Sequence, residues 1–234
     1  MNSAMFPDGP ADDARPQDVE LYAAMLTFTR QRLQHADGLL AEPPYHRVKI
    51  ETCALQVRLS LEQIVLSTLV SNRPEVAAIA SAFAKKDVSE VWRLVKKVNP
   101  RYWPIPFEFR KVEEGRGGFW KMEKPSEPYL REDEWGKAYG YCSTLLHATN
   151  PYQYLLGADA DGSQVSQLPD HMKRLKSLSS KLQTLIRSHQ VYLSEIDHSF
   201  ICKVPDDTSV RPKIEVWKRM RPNLAGDLAA DGGD

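Results

Sequence analysis

The stretch HRVKIETCALQVRLSLEQIVLSTLVSN contains neither glycine nor proline. A run of this length without a breaker predicts one continuous helix, from about Tyr45 to Ser71, closed by Asn72-Arg73-Pro74. From Cys53 onward, apolar residues occupy most of its circumference. A surface helix is apolar along one stripe; a helix that is apolar nearly all round is surrounded by other elements. The chain is therefore expected to build a helical core around this segment.

The flanking segments supply the partners. DVELYAAMLTFTRQRLQHADGLL predicts a first helix from Asp18, with Leu21, Met25, Phe28 and Leu33 near one face and Gly38 at its end. Pro43-Pro44 forms a link. EVAAIASAFAKK and SEVWRLVKKVN read as further helix, stopping before Pro100. REDEWGKAYGYCSTLLHATN predicts a helix whose first turn is acidic, which complements the positive end of its dipole, and which ends at Asn150-Pro151. After a loop with Gly157 and Gly162, a long helix runs from about Ser166 to Ser188, with Leu175, Leu178, Leu182, Leu185 and Ile186 as its buried stripe.

Two stretches change period. In RYWPIPFEFRKVEEGRGGFWKM, Phe107 and Phe109 alternate with Glu108 and Arg110, and a glycine-rich turn follows; this predicts a β-hairpin. VYLSEIDHSFICKV and RPKIEVWKRM, joined by PDDTSV, predict a second. The expected fold is a mainly helical α+β domain over 17–222 with hairpins near 105–122 and 196–219. Residues 1–16 and 223–234, poor in large apolar groups, are expected to be disordered.

Composition narrows function only slightly. Lys plus Arg is 31 and Asp plus Glu is 31, so net charge argues for no nucleic-acid partner, although a local basic patch is compatible with it. Cys53, Cys142 and Cys202 form no CxxC pair and read as buried thiols. The N-terminus lacks the basic start and apolar run of a secretory signal, and no stretch is read as a membrane span, so a soluble, cytoplasmic protein with no membrane partner is expected. The six histidines include no HExxH, GRGG lacks the lysine of a P-loop, and GADADGSQ lacks the closing glutamate of a calcium loop. No metal and no cofactor is expected.

Two constellations remain. Glu51, Arg58 and Glu62 fall within roughly 40° of one line on the central helix at about 100° per residue, and Arg58 and Glu62 are spaced to pair directly. This is either a structural ion pair or a polar site inside a bundle. His147 lies near the end of its helix, in line with Ser143 and Gly140, on the small polar side rather than the leucine side. It is either a helix-end cap or an acid/base group facing Arg58 or Glu62, with Asn150 and Tyr141 near by. Lys96, Lys97, Arg101 and Arg110, interleaved with Tyr102, Trp103, Phe107 and Phe109, offer charge and stacking for RNA, or a solvated face over a hairpin core.

The central helix with Arg58 and Glu62, the KKVNPRYWP stretch, the YGYCSTLLHATNPY helix end and the terminal hairpin resemble a group of uncharacterised bacterial helical proteins with an LHA-x-NP helix end. A polar central helix with a late-helix histidine also resembles the HEPN helical bundles, many of which are RNases or toxin components. That resemblance spans about 18–190. It implies metal-free RNA cleavage in which a ribose 2′-OH attacks the phosphate, with His147 as acid/base. The arginine that active members carry four to six residues before the histidine is replaced here by Tyr141, Cys142 and Ser143, so Arg58 on another helix would be the phosphate contact. Glu62 joins His147 and Arg58 as a catalytic candidate; Asn150, Glu51 and Tyr141 are binding candidates. The second expectation is a non-catalytic helical interaction protein in a defence or regulatory system. The partners expected are RNA or a second copy of the chain.

Overall fold

The computed structural model describes residues 16–43, 46–71, 88–114, 117–147, 167–193 and 198–218. Five helices and six strands lie among them: α1 (Pro16–Ala41), α2 (Arg47–Ser71), α3 (Val88–Val98), β1 (Ile105–Pro106), β2 (Glu108–Glu114), β3 (Gly117–Glu123), α4 (Glu132–Leu146), α5 (Leu168–Arg187), β4 (Ser188–Tyr192), β5 (His198–Lys203) and β6 (Lys213–Lys218). The α+β class with a helical core is the one expected. The N-terminal disorder expected over 1–16 lies outside the described residues except at Pro16, which opens α1; the expected disorder of 223–234, the EVAAIASAFAKK helix and the GADADGSQ loop also lie outside them.

α1 and α2 form an antiparallel hairpin. Six of the buried residues of α1 (Tyr22, Leu26, Thr29, Leu33, Ala36, Leu40) advance by alternating steps of four and three. Ile50, Cys53, Val57, Ser60, Ile64 and Ser67 do the same on α2, which keeps both seams facing each other. Three cross-contacts set the register: Tyr22 with Ser67, Arg32 with Gln56 at 3.4 Å, and the Cys53 thiol with the Ala36 carbonyl at 3.7 Å. The residue numbers of each pair add to nearly the same value, as antiparallel packing demands. Buried hydroxyls in the seam bond their own helix, Ser67 to the Ile64 carbonyl at 2.8 Å and Thr68 to that of Val65 at 2.6 Å, so small residues bring the backbones close without stranding a donor.

α2 occupies the centre as predicted, touching α1, α3, α4, α5 and β4. By length and hydropathy Arg47–Val70 would suffice to cross a bilayer, contrary to the expectation that no stretch comes near this; 56% of its apolar window is buried within the fold. α1 departs from its predicted face. Leu21 and Phe28 are 49% and 56% exposed, while Tyr22, Thr29 and Arg30 are buried. It also runs past Gly38, which sits in open space on the helix, to Ala41.

Both hairpins form. β2 pairs antiparallel with β3, and β5 with β6. The second belongs to a larger sheet of order β1-β4-β5-β6. The stretch predicted as one strand, VYLSEIDHSFICKV, is two strands on either side of residues 194–197, which lie outside the described residues. α5 passes into β4 without a break between Arg187 and Ser188, so strand begins where helix end and loop were expected.

One buried arginine ties α1 to this sheet. Arg30 donates to the carbonyls of Pro205, Asp207 and Val210 at 2.6, 2.9 and 3.0 Å and to that of Thr208 at 3.1 Å. All four belong to the turn between β5 and β6. The inner face of the sheet meets α1 at Tyr22, whose hydroxyl is 3.0 Å from His189 Nε2 and whose ring stands edge-on to Phe200 at 5.5 Å.

Candidate functional site

Where α2 crosses α4, the predicted Arg58–Glu62 pair exists, at 3.1 Å between Nε and Oε1, and it has a third member. Arg58 Nη2 donates to the Tyr139 hydroxyl at 2.9 Å, and that hydroxyl donates to Glu62 Oε1 at 3.1 Å. The guanidinium also lies 4.9 Å from the Tyr139 ring centroid. Tyr139 stacks on Trp135 at 5.0 Å, and Trp135 on Trp92 at 5.3 Å. Trp135 Nε1 reaches the Leu61 carbonyl at 3.1 Å. The ring of donors and acceptors is closed on itself and backed by an aromatic stack.

Its electrostatics suit a lock better than a reaction. Burial raises the Tyr139 hydroxyl above its ordinary pKa, and Glu62 adds to that against the opposing Arg58 guanidinium. The phenol therefore stays protonated as the donor the ring requires.

The other predicted site residues lie elsewhere. Glu51 pairs with Arg47 at 2.7 Å, one turn back on α2, and takes no part in the ring. His147 is the C-cap of α4, with extended backbone (φ −75°, ψ 132°), and it is exposed. It stands eight residues beyond Tyr139, roughly 12 Å of helix rise. Since Tyr139 and Trp135 set α4 antiparallel to α2, that rise carries His147 toward the Glu51 end of α2 and away from Arg58 and Glu62. The helix ends at Leu146, sooner than the expected Asn150-Pro151, and leaves His147 exposed at its end. Tyr141 points to the opposite flank from Tyr139, as a two-residue step of about 200° requires. Its hydroxyl is 2.9 Å from His171 Nδ1, Arg174 lies 3.7 Å over its ring, and burial pushes its pKa up to about 12. Asn150 lies outside the described residues. Of the basic-aromatic stretch, Tyr102, Trp103 and Phe107 are buried and present no stacking face. The three cysteines are buried and free, and burial holds Cys142 at about 12, unreactive as a thiolate. Among the described residues no group of three His, Cys, Asp or Glu is placed to hold a metal.

One feature escaped the sequence reading. α2 carries a second seam, Val48, Thr52, Leu55, Leu59, Glu62 and Leu66, again in steps of four and three, roughly 160° round the helix from Ile50. Val48, Leu55 and Leu66 are exposed. Arg32, one turn from Phe28 on α1, reaches Gln56 beside this seam, so the exposed Leu21 and Phe28 border the same side. The two helices share one outward apolar face. The spacing is present in the sequence, but the all-round apolarity of α2 hides it within the core pattern.

No protein-family model, curated protein or solved structure matches the chain.

Proposed function

We propose that this chain is a non-catalytic helical interaction protein that works as a homodimer, joined through the outward face of α1 and α2. The observation that carries this is the symmetry of the second α2 seam. About a midpoint near Val57 it reads the same in both directions: Val48 matches Leu66, Thr52 matches Glu62, and Leu55 matches Leu59. Two copies related by a twofold axis place each residue against its counterpart, apolar on apolar and polar on polar. A C2 interface requires such self-complementarity. Contiguous apolar surface of this kind marks an interaction site, and Leu21 and Phe28 widen it on the α1 side.

Catalysis of the HEPN kind needs a histidine and an arginine converging on one phosphate. The exposed, non-helical place of His147 at the end of α4, and the engagement of Arg58 by Glu62 and Tyr139, favour the interaction reading. The purified chain is expected to leave single-stranded RNA intact; cleavage that disappears in His147→Ala would overturn the non-catalytic assignment. Cross-linking tests the interface. Since the native thiols are buried, Leu55→Cys/Leu59→Cys treated with a short bis-maleimide should yield a covalent dimer. Val210→Cys, exposed on another face, should not. Monomer alone from both would contradict the dimer.

A further inference from the structure

The β2–β3 hairpin and the outer side of the four-stranded sheet enclose a groove of about 440 Å³ lined by Phe109, Trp120, Lys203 and Trp217. Strand pairing explains why these four meet. Phe109 lies opposite Met122, and Lys111 opposite Trp120; paired residues share a face, so Phe109 and Trp120 look the same way. On the sheet, the pairs Ser199 with Trp217 and Lys203 with Lys213 put Trp217 and Lys203 on the side away from His189 and Phe200. The walls are fixed. Phe107 braces Phe109 edge-on at 5.0 Å, and Trp217 Nε1 donates to Glu215 Oε2 at 3.0 Å. Trp120 is nonetheless 56% exposed, a large apolar surface left open beside a cation.

Three aromatic walls suit either a cation or a flat ring. Lys203 decides between them: its ammonium already stands 4.4 Å from the Phe109 ring centroid, and a second cation would be repelled. A flat ring carrying negative charge satisfies both features, stacking on indole while its charge meets the ammonium. The rim extends this match past one nucleotide. Lys111 shares the hairpin face of Phe109 and Trp120, and Lys213, paired with Glu215, shares the sheet face of Lys203 and Trp217, so two further lysines stand on the groove-side faces. A cavity of this size accommodates a drug-sized ring system.

We propose that this groove binds single-stranded nucleic acid, with one base stacked on Trp120 and a phosphate at Lys203. It lies on a different face from the α1–α2 seam and does not depend on the dimer. The test is fluorescence anisotropy of a 5′-labelled octauridylate titrated with the full chain. Saturable binding that weakens with salt is expected. Trp120→Ala should weaken it about tenfold, the scale of one lost stack, and Trp120→Phe should restore most of it, which separates stacking from misfolding. Lys203→Gln should lower the salt slope by about one contact. A duplex of equal length should not compete, because its bases are already stacked. No saturable binding, or binding unchanged in both the Trp120→Ala and Lys203→Gln chains, would overturn the proposal. So would uridine monophosphate binding as tightly as the octamer, or tryptophan quenching by a trimethyllysine peptide in place of RNA.

Discussion

His189 is fully buried between helix and sheet, its Nδ1 on the Ile186 carbonyl and its Nε2 on the Tyr22 hydroxyl, each at 3.0 Å. A neutral imidazole that donates from Nδ1 and accepts at Nε2 satisfies both. Burial lowers its pKa to about 4, against a partial opposing effect of the Ile186 bond. The unfolded chain takes up the proton near pH 6.5 and the folded chain only near 4, so this contribution to stability is complete above 6.5 and is lost as pH falls toward 4. Between pH 7 and pH 5 the loss should be about 2 kcal/mol. Urea denaturation of wild type and His189→Gln at both pH values checks this; an equal slope in the variant would refute it. The Arg58 ring gives a second residue-scale prediction. Its partners are 31% and 24% exposed at the side chain, so Glu62→Ala should cost about 1 kcal/mol, nearer a surface pair than the 3–5 kcal/mol of a sealed one. A loss above 3 kcal/mol would show that the ring excludes water. The pair itself was legible in the sequence, because i,i+4 spacing is local information. Tyr139 was not, because it arrives from α4 through a helix-to-helix register that no local pattern encodes. His147 was expected inside a helix running to Asn150, but α4 ends at Leu146 and its backbone turns extended at His147.

At the scale of elements, the Arg30 clamp holds the β5–β6 turn to α1. The buried Arg30 guanidinium makes four charged bonds to carbonyls of the turn, so Arg30→Met should cost about 3 kcal/mol by removing them together. Arg30→Lys should recover part of this, having a point charge in place of a planar fork. Thermal or chemical denaturation of the two variants measures it; a loss below 1 kcal/mol for Arg30→Met would mean that the turn rehydrates. This clamp also explains why the face of α1 was misread. Counting apolar side chains grouped Leu21, Met25, Phe28 and Leu33, of which Leu33 is fully buried and Met25 partly. The buried face instead runs through Tyr22, Thr29 and Arg30, polar groups whose partners lie far along the chain. α2 was legible because apolarity alone defines it, and both hairpins were legible from period-two alternation. The start of β4, Ser188–Gln190, was missed because Arg187-Ser188 carries no glycine or proline to mark the change from helix to strand.

For the whole molecule, the outward face of α1 and α2 decides how the fold is used. One side of α2 is sealed by α1, α3, α4 and α5, while Val48, Leu55 and Leu66 remain in solvent. The class and the central position of α2 followed from the sequence; the second seam emerged only when burial separated core positions from outward ones. Leu55→Glu places a charge against Leu59 of the opposing copy without touching the core, so it should split the dimer and leave the far-ultraviolet circular dichroism unchanged. Sedimentation equilibrium of the full chain over a concentration series is the most direct measurement. The wild-type chain is expected at a mass near twice 26.6 kDa at tens of micromolar, and Leu55→Glu at the single-chain mass. A wild-type chain that sediments at 26.6 kDa throughout the series would contradict the dimer.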